Sequence, residues 1–277
     1  TDRRGDKSAD DRSFQIFKDL HSYEKTALNP KVELVDDSSP YLRREDVTIQ
    51  AAYGNERVLV HLYLPKNTRP PFQALAMFGS GAMFTARSIA ELHDPFEFIV
   101  RSGRAVFIPA YKGTLERGPM PSPSQGREAM LDWSKDLGRS LDYLETRPDI
   151  DRSKFGFYGY SVGAALSPRL IAVEPRIKAA LLVSGGSVGR MPAEVDPWNF
   201  APRVQIPVLM LNGRDDLYFP LENSQLPLFR ALGTAEPYKK RVVYEGGHIN
   251  LMTRLDLAKE ALGWLDEYLG PVEDRPR

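Results

Sequence analysis

The sequence predicts an α/β protein whose mostly parallel sheet carries helices on both faces. Three observations lead there. After Pro71, short apolar stretches alternate with stretches of helical period, the pattern of parallel strands joined by crossover helices. Before Pro71, a two-residue apolar period runs on both sides of Gly54-Asn55, as in an antiparallel hairpin. No internal repeat and no long linker interrupts the pattern.

Taken in order, residues 1–12 read as a solvated tail, and Phe14, Phe17, Leu20 and Tyr23 recur at helical spacing. Val47, Ile49 and Ala51 form one arm of the hairpin; Val58, Val60, Leu62 and Leu64 form the other, closed by Pro65, Pro70 and Pro71. Strands are expected at 73–78, 104–109, 153–158, 177–183, 206–211 and 240–245. Helices are expected near 86–102, 126–146, 162–173, 221–232 and 250–269, with Pro168 kinking the third. The proline-rich run 119–124 reads as a loop. The expected organisation is therefore an N-terminal tail and helix over 1–44, one α/β unit over 45–270 with that segment packed on it, and a short tail over 271–277.

The 277 residues carry 37 Lys+Arg against 37 Asp+Glu, four His and no Cys. A balanced charge argues against nucleic-acid or membrane partners, which require clustered cations. Without Cys there is no disulfide, no zinc-thiolate site and no thiol nucleophile. No apolar run approaches the ~20 residues of a membrane span, and the charged first twelve residues do not resemble a signal peptide. This leaves the compartment open, with the cytoplasm favoured over others. The start without Met reads as a trimmed or processed form, or a piece of a longer protein.

Two stretches match G-x-S-x-G. At Gly159-Tyr160-Ser161-Val162-Gly163, a buried strand precedes and an apolar helix comes after, so Ser161 stands on a tight strand-to-helix turn. Its flanking glycines allow the two backbones to approach closely, and the helix N-terminus favours developing negative charge. Beyond Gly185-Gly186-Ser187-Val188-Gly189, Pro192 and Pro197 break any helical period, and Ser187 reads as part of a loop.

A serine nucleophile requires a base, usually an imidazole oriented by a carboxylate. His21, His61 and His93 fall within expected helices or the hairpin and read as packing or surface residues. His248 follows the last expected strand in Glu245-Gly246-Gly247-His248, where a loop can carry a side chain over the sheet edge. An acid is expected between nucleophile and base, after a strand; both Asp215 and Asp216 qualify.

Taken together, these motifs resemble the α/β-hydrolase superfamily over residues 45–270, and within it the dienelactone-hydrolase-like and prolyl-oligopeptidase-like catalytic domains. Such domains carry G-x-x-D-x-x-x-P after the seventh strand. Gly213-x-x-Asp216-x-x-x-Pro220 fits, which implies Asp216 as the triad acid, with Asp215 second. Where many relatives carry His-Gly after the third strand, this chain has Phe78-Gly79-Ser80-Gly81-Ala82. The implied oxyanion donors are the N–H groups of Ser80 and Val162, with Gly81 as a further donor. Dienelactone hydrolases use a Cys nucleophile that this chain lacks, so Ser161 takes that place.

Met83, Phe84, Tyr111, Tyr160, Trp198, Phe200 and Tyr218 fall beside the expected site. Of these, Met83, Tyr111, Tyr160, Trp198 and Tyr218 are the candidate substrate-binding residues. Residues 185–205 are too few for a large lid. No phosphate-binding glycine loop and no metal-ligand cluster is present, so no cofactor or metal is expected.

The expected function is hydrolysis of small-molecule carboxylic esters through an acyl-enzyme on Ser161. Two other readings stand beside it. One is a serine peptidase of prolyl-oligopeptidase type, although the region before residue 45 is too short for a gating domain. The other is a non-catalytic regulatory domain, since the chain also resembles hydrolase-like domains attached to some bacterial serine/threonine kinases. Natural substrate and oligomeric state are not legible.

Overall fold

A computed structural model describes residues 2–119, 123–248 and 254–272, the side chains of 123–125 excepted. The chain runs through α1 (Asp11–Leu20), β1 (Lys31–Asp36), β2 (Leu42–Gln50), β3 (Arg57–Pro65), β4 (Phe72–Phe78), α2 (Glu97–Arg101), β5 (Ala105–Pro109) and α3 (Pro123–Leu144). It continues through β6 (Ile150–Tyr160), α4 (Val162–Val173), β7 (Ile177–Val183), α5 (Pro197–Phe200), β8 (Val208–Gly213), α6 (Leu226–Ala231), β9 (Lys239–Tyr244) and α7 (Leu255–Tyr268).

The nine strands form one sheet in the order β1-β2-β3-β5-β4-β6-β7-β8-β9. The expected hairpin is formed by β2 and β3, with Val47 opposite Val60 and Ile49 opposite Val58. β3 meets β5 antiparallel, and all later pairings are parallel. Parallel strands with helices on both faces are buried on both faces. Every residue of β4, β5 and β8 is accordingly buried. Between β4 and its neighbours the chain changes direction, going to β5 on one side and β6 on the other. Side chains at the carboxyl ends of the strands on either side of such a switch meet over one crevice.

The core near that crevice is aromatic. Phe78 stacks on Tyr111 with ring centroids 4.6 Å apart and meets the edge of Trp133 at 5.1 Å.

Several elements differ from expectation. β1 is an additional edge strand with all six residues exposed. The region expected as a helix over 86–102 contains only a short 3-10 turn, Ile89–Glu91, and the five-residue α2, with Pro95 in between. The region 221–232 begins as a π-turn, Leu221–Gln225, before α6. Residues 250–253 of the expected last helix, 120–122 of the expected loop and 273–277 of the expected tail lie outside the described residues.

The N-terminal residues are not a purely solvated tail. Arg3 is 5% exposed and pairs with the buried Asp196. His21 is also buried, with Nδ1 2.8 Å from Ser134 Oγ and Nε2 3.0 Å from the Glu194 carbonyl. Burial lowers its pKa to about 4.

α4 runs continuously through Pro168. Proline cannot donate to the carbonyl four residues back. Here Ser167 Oγ donates to that carbonyl, on Ala164, at 2.8 Å.

Candidate active site

The turn that carries Ser161 is built by backbone contact. Ser161 ends β6 and begins α4 with φ 56° and ψ −116°, a conformation rare for a residue with a Cβ. Its N–H donates to the Val183 carbonyl at 2.8 Å, and the Gly163 N–H donates to the Gly79 carbonyl at 2.9 Å. These bonds fasten the turn to β7 and to the end of β4, and hold a geometry that costs on the order of 1–3 kcal/mol. A Cβ on Gly159 would stand 2.7 Å from Ala164 Cα, and one on Gly163 would overlap the Phe78 carbonyl. Both flanking positions therefore require glycine.

Ser161, His248 and Asp216 are joined in one hydrogen-bonded chain. His248 Nε2 lies 2.9 Å from Ser161 Oγ, and His248 Nδ1 lies 2.8 Å from Asp216 Oδ2. Asp216 is 2% exposed, and its other oxygen accepts the N–H groups of Tyr218 at 2.9 Å and Phe219 at 3.0 Å. Its neighbour Asp215 is exposed. The supporting loops are laced together. Arg214 N–H donates to Tyr244 O and Asp215 N–H to Gly246 O. The Gln225 amide donates to the carbonyls of Gly213 and Phe219. Rings surround the imidazole: Tyr218 at 5.1 Å, edge on, and Phe219 at 6.1 Å, stacked.

Ser187 lies in a loop, as expected; its N–H donates to Ser224 O, and its carbonyl accepts Ser224 Oγ–H.

A cleft of about 600 Å³ opens over Ser161 and His248. Of the five candidate substrate-binding residues, Tyr160 and Tyr218 line it. The other three do not. Met83 is fully buried, and its Sδ accepts the Gly79 N–H at 2.9 Å. Tyr111 is fully buried against Phe78. Trp198 donates from Nε1 to the Asp6 carbonyl and lies under the Arg3 guanidinium, 5.1 Å from it. A large apolar residue near the carboxyl ends of the strands can turn inward to the core as readily as outward to a cleft, and these three turn elsewhere.

Gly81 and Val162 both line the cleft; a Cβ on Gly81 would stand 3.8 Å from Val162 Cγ2. The Ser80 N–H is already engaged, donating to Asp94 Oδ2 at 2.5 Å, while Ser80 Oγ donates to Asp94 Oδ1 at 2.7 Å. Of the three expected oxyanion donors, only Ser80 is thus turned to another acceptor.

Sequence reasoning missed Glu91, His93, Asp94 and Pro95, all of which line the cleft. They fall in a stretch expected to be helical, where His93 reads as a surface residue. Only Pro95 signals that the helix breaks. Burial raises the Asp94 pKa above the usual carboxylate value, against the hydrogen bonds from Ser80 and the charge of His93. Burial, with the charges of Asp94 and Asp216, pushes Tyr160 up to about 12. Among the described residues no cluster of three or more His, Asp or Glu is arranged to hold a metal ion, and no described helix is long and apolar enough to cross a membrane.

A model of the dienelactone hydrolase family matches residues 99–248. Among solved structures, the chain is similar to the acetyl xylan esterase from Paenibacillus sp. R4, with TM-score 0.71, 18% identity, and 95% of this chain and 96% of that one covered. Acetyl xylan esterase 1 from Thermoanaerobacterium sp. JW/SL YS485 aligns with TM-score 0.70 and 14% identity over 92% and 93% of the two chains. A cold-adapted esterase from an Arctic intertidal metagenomic library aligns with TM-score 0.61 and 20% identity over 90% and 100%. At these identities the likeness establishes the α/β-hydrolase fold.

Proposed function

Because this chain belongs to the dienelactone hydrolase family, an ester-hydrolase family, we propose that it cleaves carboxylic esters with Ser161 in the place of the nucleophile. The observation that carries this reading is the single line of hydrogen bonds from Ser161 Oγ through the His248 imidazole to Asp216.

In this reading Ser161 Oγ attacks the ester carbonyl while His248 Nε2 takes its proton. Asp216 Oδ2 accepts a hydrogen bond from the Nδ1–H and stabilises the imidazolium, while backbone N–H groups hold its second oxygen in place. The oxyanion is held by the N–H groups of Val162 and Gly81, at the start of α4 and beside it. The imidazolium then protonates the leaving alkoxide. In a second passage His248 deprotonates water, which releases the acid and restores Ser161.

Several structural relatives are named acetyl xylan esterases, which makes short acyl esters of hydroxylated alcohols the first substrates to try. The test is turnover of p-nitrophenyl acetate. The wild-type chain should hydrolyse it, and Ser161→Ala should reduce the rate to background. Equal turnover by both would remove Ser161 from the mechanism.

A further inference from the structure

The titratable groups lining the cleft are two acids, Glu91 and Asp94, and two imidazoles, His93 and His248. Glu91 and Asp94 stand in its wall with Ser161 and His248, and no Lys or Arg is among the described lining residues. Neither acid is neutralised by an ion pair among the described residues. Glu91 Oε2 accepts only the Arg87 backbone N–H, at 3.1 Å, and both oxygens of Asp94 accept from Ser80. Two donors on two oxygens favour the ionised form, against the burial that raises the Asp94 pKa.

We infer that this cleft selects its ester by charge: it accepts neutral and cationic esters and discriminates against esters bearing a carboxylate or sulfonate, with Asp94 the main determinant and Glu91 the second. The inference rests on the esterase reading above and specifies its substrate class. The selection is electrostatic. Asp94 is held in place by two hydrogen bonds and partly removed from water, so its field in the cleft is less screened than that of a surface acid. A substrate anion sharing a cleft of this volume comes within one Debye length of it, and no described lining Lys or Arg offsets the repulsion. The position also explains how the acid coexists with an oxyanion hole. By taking the Ser80 N–H and Oγ–H, Asp94 is tied to the loop, while the hole is left to Gly81 and Val162.

The test compares kcat/KM at pH 8 for three esters of one leaving group: p-nitrophenyl butyrate, p-nitrophenyl 4-sulfobutyrate and p-nitrophenyl 4-(trimethylammonio)butyrate. At low ionic strength the sulfonate ester should be disfavoured by about tenfold against butyrate, and the ammonium ester should not be. The gap should narrow in 0.5 M salt. Asp94→Asn should narrow it at least threefold, and Glu91→Gln, which leaves the Ser80 contacts intact, should narrow it less. A sulfonate ester hydrolysed within twofold of butyrate by the wild-type chain overturns the inference while leaving the esterase reading standing. An unchanged gap in a folded Asp94→Asn variant removes Asp94 as its determinant. If Asp94→Asn does not fold, the salt response and Glu91→Gln decide. Failure to hydrolyse p-nitrophenyl acetate as well as butyrate overturns both the reading and the inference.

Discussion

Arg3 and Asp196 form a buried ion pair across 193 residues of sequence, with the two guanidinium nitrogens 3.2 and 2.9 Å from the two carboxylate oxygens. Each side chain is 5% exposed. Asp196 also caps α5 by accepting the Trp198 N–H at 3.0 Å, and Arg3 covers the Trp198 ring. The pair fixes the first residues of the chain to the segment after β7. Removing one partner of a buried pair leaves the other charge unpaired, at a cost of about 3–5 kcal/mol. Arg3→Ala should lower unfolding stability in urea by about 3 kcal/mol, and Arg3→Lys should restore only part because the two-nitrogen fork is lost. A loss below about 0.5 kcal/mol would show that the pair contributes nothing net.

His61 should give stability a distinct pH dependence. The ring is fully buried, with Nδ1 2.8 Å from Asp46 and Nε2 3.1 Å from Glu116. Burial opposes its protonation, but hydrogen bonds and charge from both acids prevail and raise its pKa above 6.5. The folded state therefore holds the proton more tightly than the unfolded one. The resulting stabilisation is fully present below about pH 6.5 and is lost as pH rises through the folded value. Asp46 and Glu116 have the opposite sense: burial works against their ionisation, yet His61 hydrogen bonds depress both, helped at Asp46 by Arg44. Their stabilisation is lost on acidification below about pH 4. The difference in Tm between wild type and His61→Gln should be largest near pH 5–6 and shrink toward pH 9. A difference independent of pH would contradict a protonated His61.

In the proposed mechanism the Asp216–His248 contact sets which imidazole nitrogen carries the proton. Asp216→Asn presents an amide N–H or a weaker acceptor to Nδ1 and favours the tautomer with hydrogen on Nε2, which cannot take the Ser161 proton. kcat on p-nitrophenyl acetate should fall about 10³–10⁴-fold with the fold preserved by circular dichroism. Asp215→Asn, at an exposed neighbour, should stay within about threefold. If the two variants exchange these outcomes, the acid has been misassigned.

Much of the framework was legible because local pattern and tertiary role coincide. The hairpin alternation marked Val47, Ile49, Val58 and Val60 as buried positions of two paired strands, and the glycines around Ser161 are required by contacts with Ala164 and Phe78 that any such turn would make. Other features depend on distant partners. β1 has both faces in solvent, so its apolar residues do not alternate with burial. Nothing near Arg3 announces Asp196. Asp94 was hidden within an apparent helical stretch that Pro95 breaks, and its role depends on Ser80, fourteen residues earlier. Trp198, Tyr111 and Met83 illustrate the same point in reverse: residue type and place after a strand do not decide which way a side chain turns.

Every step of the proposed chemistry depends on His248 and Asp216 activating Ser161 at the mouth of the cleft. Fluorophosphonate labelling, read by intact mass and peptide mapping, isolates that activation from substrate preference. One adduct per chain is expected, located on Ser161, absent from Ser161→Ala and strongly slowed in His248→Ala. An adduct on Ser187 or elsewhere, or ester turnover by a chain whose Ser161 never labels, would contradict it.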